Sequence, residues 1–231
     1  MKFLILVPAR GGSKGIKNKN LARIGEKRLI DYTLDLCKKF NKNFFTFIST
    51  DSKVISNHCE KNGFKNSYIR PTYLSKDKSN IIDAVFHGLN WLKKNMNYVP
   101  DAVILFQPTS PIRDINQIKN AINQFIKKKQ DSLVGMVKMK EHPRECINYS
   151  KKKWTYLVKS QKRLYRRQEY EDNYYFIDGS FYLAKTSFLR KYKSFIVENI
   201  SSMYRFNQKY SLDIDNMSDL KIARLLLNKK N

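Results

Sequence analysis

The chain has 231 residues, of which 42% are hydrophobic, and it carries a formal net charge of +25. Its 14 Phe and 14 Tyr residues supply enough apolar area to exclude wholesale disorder, and no window reaches the roughly 20 apolar residues of a membrane span. The lysines are scattered over helix-like segments rather than gathered in one groove, so we expect anionic small molecules as partners, no nucleic acid and no membrane insertion.

Apolar, β-rich runs alternate with helical periods along the first 138 residues. Strands are predicted at 3–7, 44–49, 102–106 and 132–138, and helices at 29–40, 53–62, 81–94 and 115–128. This alternation predicts a doubly wound, mostly parallel sheet of the Rossmann-like α/β class. The opening run MKFLILVPAR is expected to be its first strand rather than a signal peptide.

The alternation fails in residues 139–178, which are charged, aromatic and without a clear period. We interpret this segment as an excursion from the sheet, either a pair of β-hairpins that reaches a second subunit or a lid over the substrate. The pattern then returns with strands at 180–184 and 212–214 and a helix at 217–227. We therefore expect one domain over residues 1–231, with 139–178 as a dimerisation or lid excursion.

The first strand leads into a loop, LVPARGGSKGIKNKN at residues 6–20, that is rich in glycine and positive charge. Its glycines are Gly11, Gly12 and Gly15, and its cationic side chains are Arg10, Lys14, Lys17 and Lys19. Glycine backbone N–H groups and cationic side chains together bind phosphate oxygens. The spacing matches neither a Walker A loop nor the dinucleotide fingerprint. The sequence predicts a phosphate-binding loop, and a basic solvated turn is the alternative.

Two carboxylates alternate in the segment SLDIDNMSDL at residues 211–220. In an extended segment, Asp213 and Asp215 point to the same side. Two carboxylates without a cation between them repel, so a hard divalent ion such as Mg²⁺ is their expected partner. The alternative is that Asp215 or Ser218 caps the last helix.

Three further segments carry polar residues at predicted strand ends or in loops. The two prolines of FQPTSPIR, residues 106–113, stiffen the loop that holds Gln107 and Arg113, and Gln107 suits a sugar hydroxyl or N-acyl group. Arg70, which precedes a proline, contacts substrate or forms a structural salt bridge. Asp77 and Asn80 line the nucleotide site or cap the helix that begins near residue 81.

Taken in order, these motifs resemble the CMP-sialic acid synthetase (acylneuraminate cytidylyltransferase) family along nearly the entire chain. The matching positions are the first loop, Ser49–Asp51, Arg70–Pro71, Gln107–Arg113, Arg167–Gln168 and Asp213–Asp215. The resemblance implies transfer of CMP from CTP to an acidic nine-carbon sugar, N-acetylneuraminic acid in the first instance, with release of pyrophosphate. It also implies a nucleotidyltransferase fold, a Mg²⁺ cofactor, a homodimer and a cytoplasmic location, and the odd number of cysteines agrees with that compartment.

The resemblance implies a role for each matching residue. Nucleotide binding falls to Ala9, Arg10, Gly11, Gly12, Ser13, Lys14, Lys19, Asn20 and Asn80. Sugar binding falls to Arg70, Gln107, Arg167, Gln168 and Asp178. Catalysis falls to Arg10, Lys19, Asp213 and Asp215, of which the two acids also bind the metal.

The departures from the family lie at the sugar end. Asp178-Gly179-Ser180 stands where the family often has Asn-Gly-Ala, and Phe176 stands where some members carry an arginine for the sugar carboxylate. An acid in place of the amide would repel a carboxylate or bind a hydroxyl or amine. The alternatives are therefore a legionaminic, pseudaminic or 3-deoxy-manno-octulosonic acid substrate and, from other classes, a nucleic-acid-binding protein or a silent nucleotide sensor.

Overall fold

The computed structural model describes residues 1–65, 67–158, 174–207 and 211–228. The strands in these ranges are β1 (Phe3–Pro8), β2 (Arg23–Ile24), β3 (Lys27–Arg28), β4 (Phe44–Ser49), β5 (Ala102–Leu105), β6 (Ser132–Lys138), β7 (Ile147–Ser150), β8 (Lys153–Tyr156), β9 (Tyr175–Lys185) and β10 (Ser202–Arg205). The α-helices are α1 (Leu29–Cys37), α2 (Lys53–Lys61), α3 (Ile81–Met96), α4 (Ile115–Lys127), α5 (Thr186–Tyr192) and α6 (Met217–Asn228). Short 3₁₀ turns lie at Lys19–Leu21, Thr72–Leu74 and Pro143–Glu145.

Six of these strands form the main sheet in the order β10-β6-β9-β5-β1-β4. β1 runs parallel to β4 and β5, and β10 runs parallel to β6. β9 lies antiparallel between β5 and β6. The mostly parallel α/β sheet that the alternating pattern predicts is therefore confirmed, with one reversed strand inside it.

Helices cover both faces of the sheet because alternate residues of β1 pack on opposite sides. Phe3, Ile5 and Val7 pack with buried residues of α1, α2 and α4. Leu4 and Leu6 pack with α3 and α5 on the other face. A strand that is buried on both faces reads as a continuous apolar run, which is how FLILVP appears in the sequence.

The last helix joins the amino-terminal part of the chain through a small apolar cluster. Leu220 and Ala223 of α6 pack with Ile16, Ile24 and Leu29. Ile214, in the segment that leads into α6, is completely buried in the same cluster. This packing brings the carboxyl-terminal acids next to the phosphate loop.

Three expectations about secondary structure need correction. Residues 212–214 form no strand, and the Ile214 N–H donates to the Thr109 carbonyl at 2.9 Å outside the sheet. β9 begins at Tyr175, ahead of the expected start at 180, because Tyr175–Ile177 pairs with the end of β6. The sheet therefore resumes inside the 139–178 segment, whose described part contains the β7–β8 hairpin.

Four elements, β2, β3, α5 and β10, were not anticipated, since each is short and lacks a clear period. None of the helices in the described ranges is long and apolar enough to cross a membrane.

Candidate active site

A cleft of about 290 Å³ opens beyond the carboxyl ends of β1 and β5. Its lining includes Pro8, Arg10, Ser13, Lys19, Asn20, Arg70, Asp77, Gln107, Thr109, Asp213 and Asp215. In open α/β sheets, ligands bind at this edge because the loops that follow the strands form a crevice there. The fold thus brings together predicted site residues as far apart in the sequence as Arg10 and Asp215.

Lys19 joins the phosphate loop to the carboxyl-terminal acids. Its ammonium group donates to the Ile214 carbonyl at 2.7 Å and pairs with the Asp215 carboxylate at 3.0 Å. The backbones also touch, since a Cβ on Gly15 would lie 2.2 Å from the Asp215 carbonyl oxygen. Glycine is therefore required at position 15 for this close approach, and the phosphate loop and the acidic segment lie in direct contact.

Asp213 and Asp215 are both exposed on either side of the buried Ile214, as expected for an extended segment. Neither of them caps α6. Asn216 accepts from the N–H groups of Ser218 and Asp219 at 2.8 and 3.1 Å. The Asp219 carboxylate accepts from the N–H groups of Asp215 and Asn216, each at 2.9 Å. The cap alternative is wrong, and the Asp213 and Asp215 side chains are not consumed by the helix start.

The two acids fit a hard divalent cation. In the described part of the chain the Asp213 carboxylate has no hydrogen-bond or ion-pair partner, and the Asp215 carboxylate pairs with Lys19 alone. No cluster of three or more potential metal-binding side chains occurs among the described residues. Mg²⁺ prefers a few carboxylates plus water and phosphate oxygens, so this incomplete set suits an ion that arrives with a phosphate ligand.

Two cations of the phosphate loop share one carboxylate. Arg10 Nη1 lies 2.7 Å from Asp77 Oδ1, and Lys14 Nζ lies 3.1 Å from Asp77 Oδ2. These hydrogen bonds, from Lys14 first and then Arg10, lower the pKa of Asp77, so the carboxyl is charged at neutral pH. Asp77 is neither a helix cap nor an isolated surface charge.

The backbone of the phosphate loop is fixed by hydrogen bonds to two side chains. Asn20 is buried, and its amide donates to the Arg10 carbonyl at 2.9 Å. The Gly11 N–H donates to Asp51 Oδ1 at 2.8 Å, next to the end of β4. Around Gly12, by contrast, the position of a Cβ is open space. Asn20 and Asp51 therefore fix the loop, while Gly12 leaves room for a ligand.

Arg70 lines the cleft, whereas Asn80 does not. Arg70 is buried in the cleft wall, where its Nη2 lies 3.9 Å from Asp51 Oδ1 and its Nε has no hydrogen-bond partner. Burial lowers the pKa of this guanidinium. Asn80 caps α3 by accepting from the Ile82 N–H at 3.0 Å and lies outside the cleft lining.

The opposite wall of the cleft is fixed by Arg113. Its acceptors are the Gln107 carbonyl at 2.5 Å, the Ser180 carbonyl at 2.8 Å and Thr33 Oγ1 at 3.2 Å. Burial lowers the pKa of Arg113 to about 10. The guanidinium thus ties the Gln107 loop to β9 and α1, which is a structural role.

Asp178 is buried at the base of this wall. Its Oδ1 accepts from the Ser180 N–H and Oγ at 3.1 and 2.8 Å, whereas its Oδ2 has no hydrogen-bond partner. Gly179 follows with φ +70, and a Cβ there would lie 3.9 Å from Asp213 Oδ2 and 4.0 Å from Gln107 Nε2. Gln107 and Asp213 therefore converge over this glycine. Arg167 and Gln168 lie outside the described residues.

A model of the cytidylyltransferase family matches residues 4–231. The chain belongs to the cytidylyltransferase family. It is 30% identical to an N-acylneuraminate cytidylyltransferase of Streptococcus agalactiae over 95% of this chain and 52% of the relative, so it spans about half the length of that protein. It is 29% identical to a pseudaminic acid cytidylyltransferase of Campylobacter jejuni over 98% of this chain and 96% of the relative.

A solved structure supports the fold of this cytidylyltransferase. The CMP:2-keto-3-deoxy-manno-octonic acid synthetase complexed with CTP aligns over 100% of both chains with a TM-score of 0.72 at 14% identity. The family resemblance and the nucleotidyltransferase fold expected from the sequence are both confirmed. Sequence reasoning missed the pairing role of Asp77 and the anchoring role of Asp51, because polar loop residues do not reveal their partners.

Proposed function

We propose that this cytidylyltransferase transfers CMP from CTP to a nonulosonic acid and releases pyrophosphate, with N-acetylneuraminic acid as the first candidate substrate. The observation that carries the proposal is the contact between Lys19 and Asp215, which joins a cationic phosphate loop to a pair of acids at one cleft. The names of the relatives and the CTP complex of the structural neighbour agree with it.

In the proposed reaction, the anomeric hydroxyl of the sugar attacks the α-phosphorus of CTP. An oxygen–phosphorus bond forms, the bond to the β-phosphate breaks, pyrophosphate leaves and the hydroxyl proton passes to solvent. Such transfers rest on positioning and charge neutralisation rather than on a covalent intermediate. Arg10, Lys14 and Lys19 hold the triphosphate, and the open space at Gly12 admits its oxygens.

The acids and the opposite wall complete the site. Mg²⁺ held by Asp213 and Asp215 would neutralise phosphate charge and lower the pKa of the attacking hydroxyl. We assign sugar binding to Gln107, Arg70 and Asp178 and also, outside the described residues, to Arg167 and Gln168. Asn20 supports the nucleotide through the loop backbone, and Asn80 acts through α3, which it caps.

A homodimer is part of the proposal. The β7–β8 hairpin exposes Ile147, Tyr149, Trp154 and Tyr156, and large exposed apolar groups on one hairpin are typical of an association surface. We also propose a cytoplasmic location, with CTP and the sugar acid as partners and no nucleic acid. The three cysteines are free, as that compartment requires.

Pseudaminic acid is the second candidate substrate. The pseudaminic acid relative matches this chain almost end to end, whereas the N-acylneuraminate relative is about twice as long. Asp178 adds to this case, because a buried carboxylate oxygen without a partner suits a sugar that presents an additional donor. Legionaminic and 3-deoxy-manno-octulosonic acids complete the panel.

The test is a substrate panel with CTP and Mg²⁺, in which pyrophosphate release is measured and the product is identified by mass spectrometry. We expect one nonulosonic acid to give a CMP-sugar. Lys19→Met should lower turnover about 100-fold, because Lys19 links the two halves of the site, whereas Lys17→Met, in the same loop but exposed, should keep most of it. Silence with every acid in the panel would refute the proposal, and CTP binding without turnover would indicate a nucleotide sensor.

A further inference from the structure

Asp77 pairs with two cations of the phosphate loop. Its two carboxylate oxygens are each used by one loop cation, Oδ1 by Arg10 at 2.7 Å and Oδ2 by Lys14 at 3.1 Å. A phosphate oxyanion is recognised by the same charge-assisted geometry. The cations assigned to the triphosphate are thus already paired before any ligand binds.

The carboxylate is presented from a short turn rather than from the core. The Ser79 N–H donates to the Lys76 carbonyl at 3.0 Å, the Lys76 N–H donates to Ser79 Oγ at 3.0 Å, and that hydroxyl donates to the Tyr73 carbonyl at 2.8 Å. The Asp77 side chain itself is 39% exposed. The turn holds Asp77 over the loop, yet its carboxylate can leave for water without being buried elsewhere.

We propose that Asp77 is an internal counter-ion of the phosphate loop, which an incoming polyphosphate displaces from Arg10 and Lys14. This inference rests on the proposed function, because it concerns the same triphosphate site. Asp77 offsets the repulsion between the two cations and holds them in place while the site is empty. It competes with the triphosphate during binding and replaces pyrophosphate when that product departs.

The expected size of the effect follows from the exposure of the pairs. Lys14 is 82% exposed and Arg10 is 35% exposed, so each ion pair is worth little in water. Loss of the two ion pairs that Asp77 makes should tighten polyphosphate binding about three- to tenfold, given that a tenfold change in Kd corresponds to about 1.4 kcal/mol.

The experiment measures the Kd of CTP and of inorganic pyrophosphate, with Mg²⁺ present, by isothermal titration calorimetry. Asp77→Asn should bind both about three- to tenfold more tightly than the unsubstituted protein. The matched control is Asp83→Asn, which removes the same charge from an exposed position in the first turn of α3. That control should leave both Kd values within about twofold, because solvent screens charges that make no contact.

Two further measurements separate competition from a merely structural role. The Kd of pyrophosphate should rise more steeply with salt in Asp77→Asn, because the unsubstituted protein exchanges one set of ion pairs for another whereas the variant only gains them. In a Lys14→Met background, the gain from Asp77→Asn should shrink, since one of the two competed cations is gone.

Weaker or unchanged binding by Asp77→Asn would overturn the inference, since Asp77 would then orient Arg10 or bind the metal instead. If the unsubstituted protein bound neither CTP nor pyrophosphate, the proposed function itself would fail. Binding by the unsubstituted protein without a gain in the variant would refute the role of Asp77 alone.

Discussion

The two sides of the cleft pair their polar groups differently. On the phosphate side, formed by residues 9–20 with Asp77 and Asp215, the cations Arg10, Lys14 and Lys19 each contact a carboxylate. On the side that the proposal assigns to the sugar, Gln107 lines the cleft, and two buried oxygens near it, Ser110 Oγ and Asp178 Oδ2, have no hydrogen-bond partner. On the phosphate side, Ser13 Oγ has none either, so the two sides differ chiefly in how their charged groups are paired.

This difference separates affinity from selectivity. Internal acids stabilise Arg10, Lys14 and Lys19 on the phosphate side, so a ligand that binds these cations exchanges one ion pair for another. On the sugar side, a buried oxygen without a partner carries a desolvation penalty that a suitable donor removes and a wrong ligand does not. We therefore expect substitutions on the phosphate side to change nucleotide binding and catalysis, and substitutions on the sugar side to change the choice of sugar.

The largest effect is expected at Asp213, which stands where the two sides meet. Asp213→Ala should lower turnover at least about 100-fold, because it removes the one exposed carboxylate of the pair that no described residue engages. Pyrophosphate release measures the loss, and circular dichroism should show an unchanged fold, since the side chain is exposed. Glu26→Ala, an exposed acid outside the cleft lining, is the control. If Asp213→Ala kept most of its activity, the proposed role of Asp213 in binding Mg²⁺ would be wrong.

The next effect concerns the backbone contact that closes the phosphate side. Gly15→Ala should lower the free energy of unfolding by about 1–3 kcal/mol, because its Cβ would meet the Asp215 carbonyl oxygen at 2.2 Å. Gly12→Ala is the matched variant, since a Cβ there meets nothing within 4 Å. Its free energy of unfolding should change by no more than about 0.5 kcal/mol.

Chemical denaturation of both glycine variants decides this point. Equal stability of Gly15→Ala and Gly12→Ala would mean that the loop and the acidic segment can move apart at little cost. The phosphate side would then be assembled by its ligand rather than by the fold.

The sheet could be predicted from the sequence where strands are buried on both faces. β1, β4 and β5 are apolar runs with helical periods between them, and their predicted bounds agree with the structure to within one residue. The antiparallel entry of β9 between β5 and β6 was not predictable, because pairing partners so far apart leave no local period. The early start of β9 was missed for a related reason, since Phe176 and Ile177 remain exposed while they pair with β6.

The site, like the sheet, has one part that could be predicted from the sequence and one part that could not. The meeting of Lys19 with Asp215 followed from two motifs with recognisable chemistry, a glycine-rich cationic loop and alternating acids. The pairing of Asp77 with Arg10 did not, because the two residues are 67 positions apart and Asp77 lies in a turn whose residues suit a cap equally well. Sequence chemistry thus predicts which groups bind phosphate, whereas only the fold shows which acid pairs with them.

The smallest effect, and the one that tests selectivity directly, is expected at Asp178. Asp178→Asn keeps an oxygen for the Ser180 hydrogen bonds and exchanges the unpartnered oxygen for an amide NH₂. If that oxygen accepts a hydrogen bond from the sugar, the KM for the sugar should rise about tenfold, while the KM for CTP should change less than about twofold.

Steady-state kinetics over the sugar panel measures both constants, and Asp131→Asn, which alters an exposed ion pair with Lys185, is the control. A parallel rise in both KM values would show that Asp178 acts through Arg113 and the whole cleft wall. An unchanged KM for the sugar would mean that Asp178 in β9 does not determine which sugar is used. A rise for the sugar alone would establish that the unpartnered oxygen, and not the ion pairs across the cleft, distinguishes one acid from another.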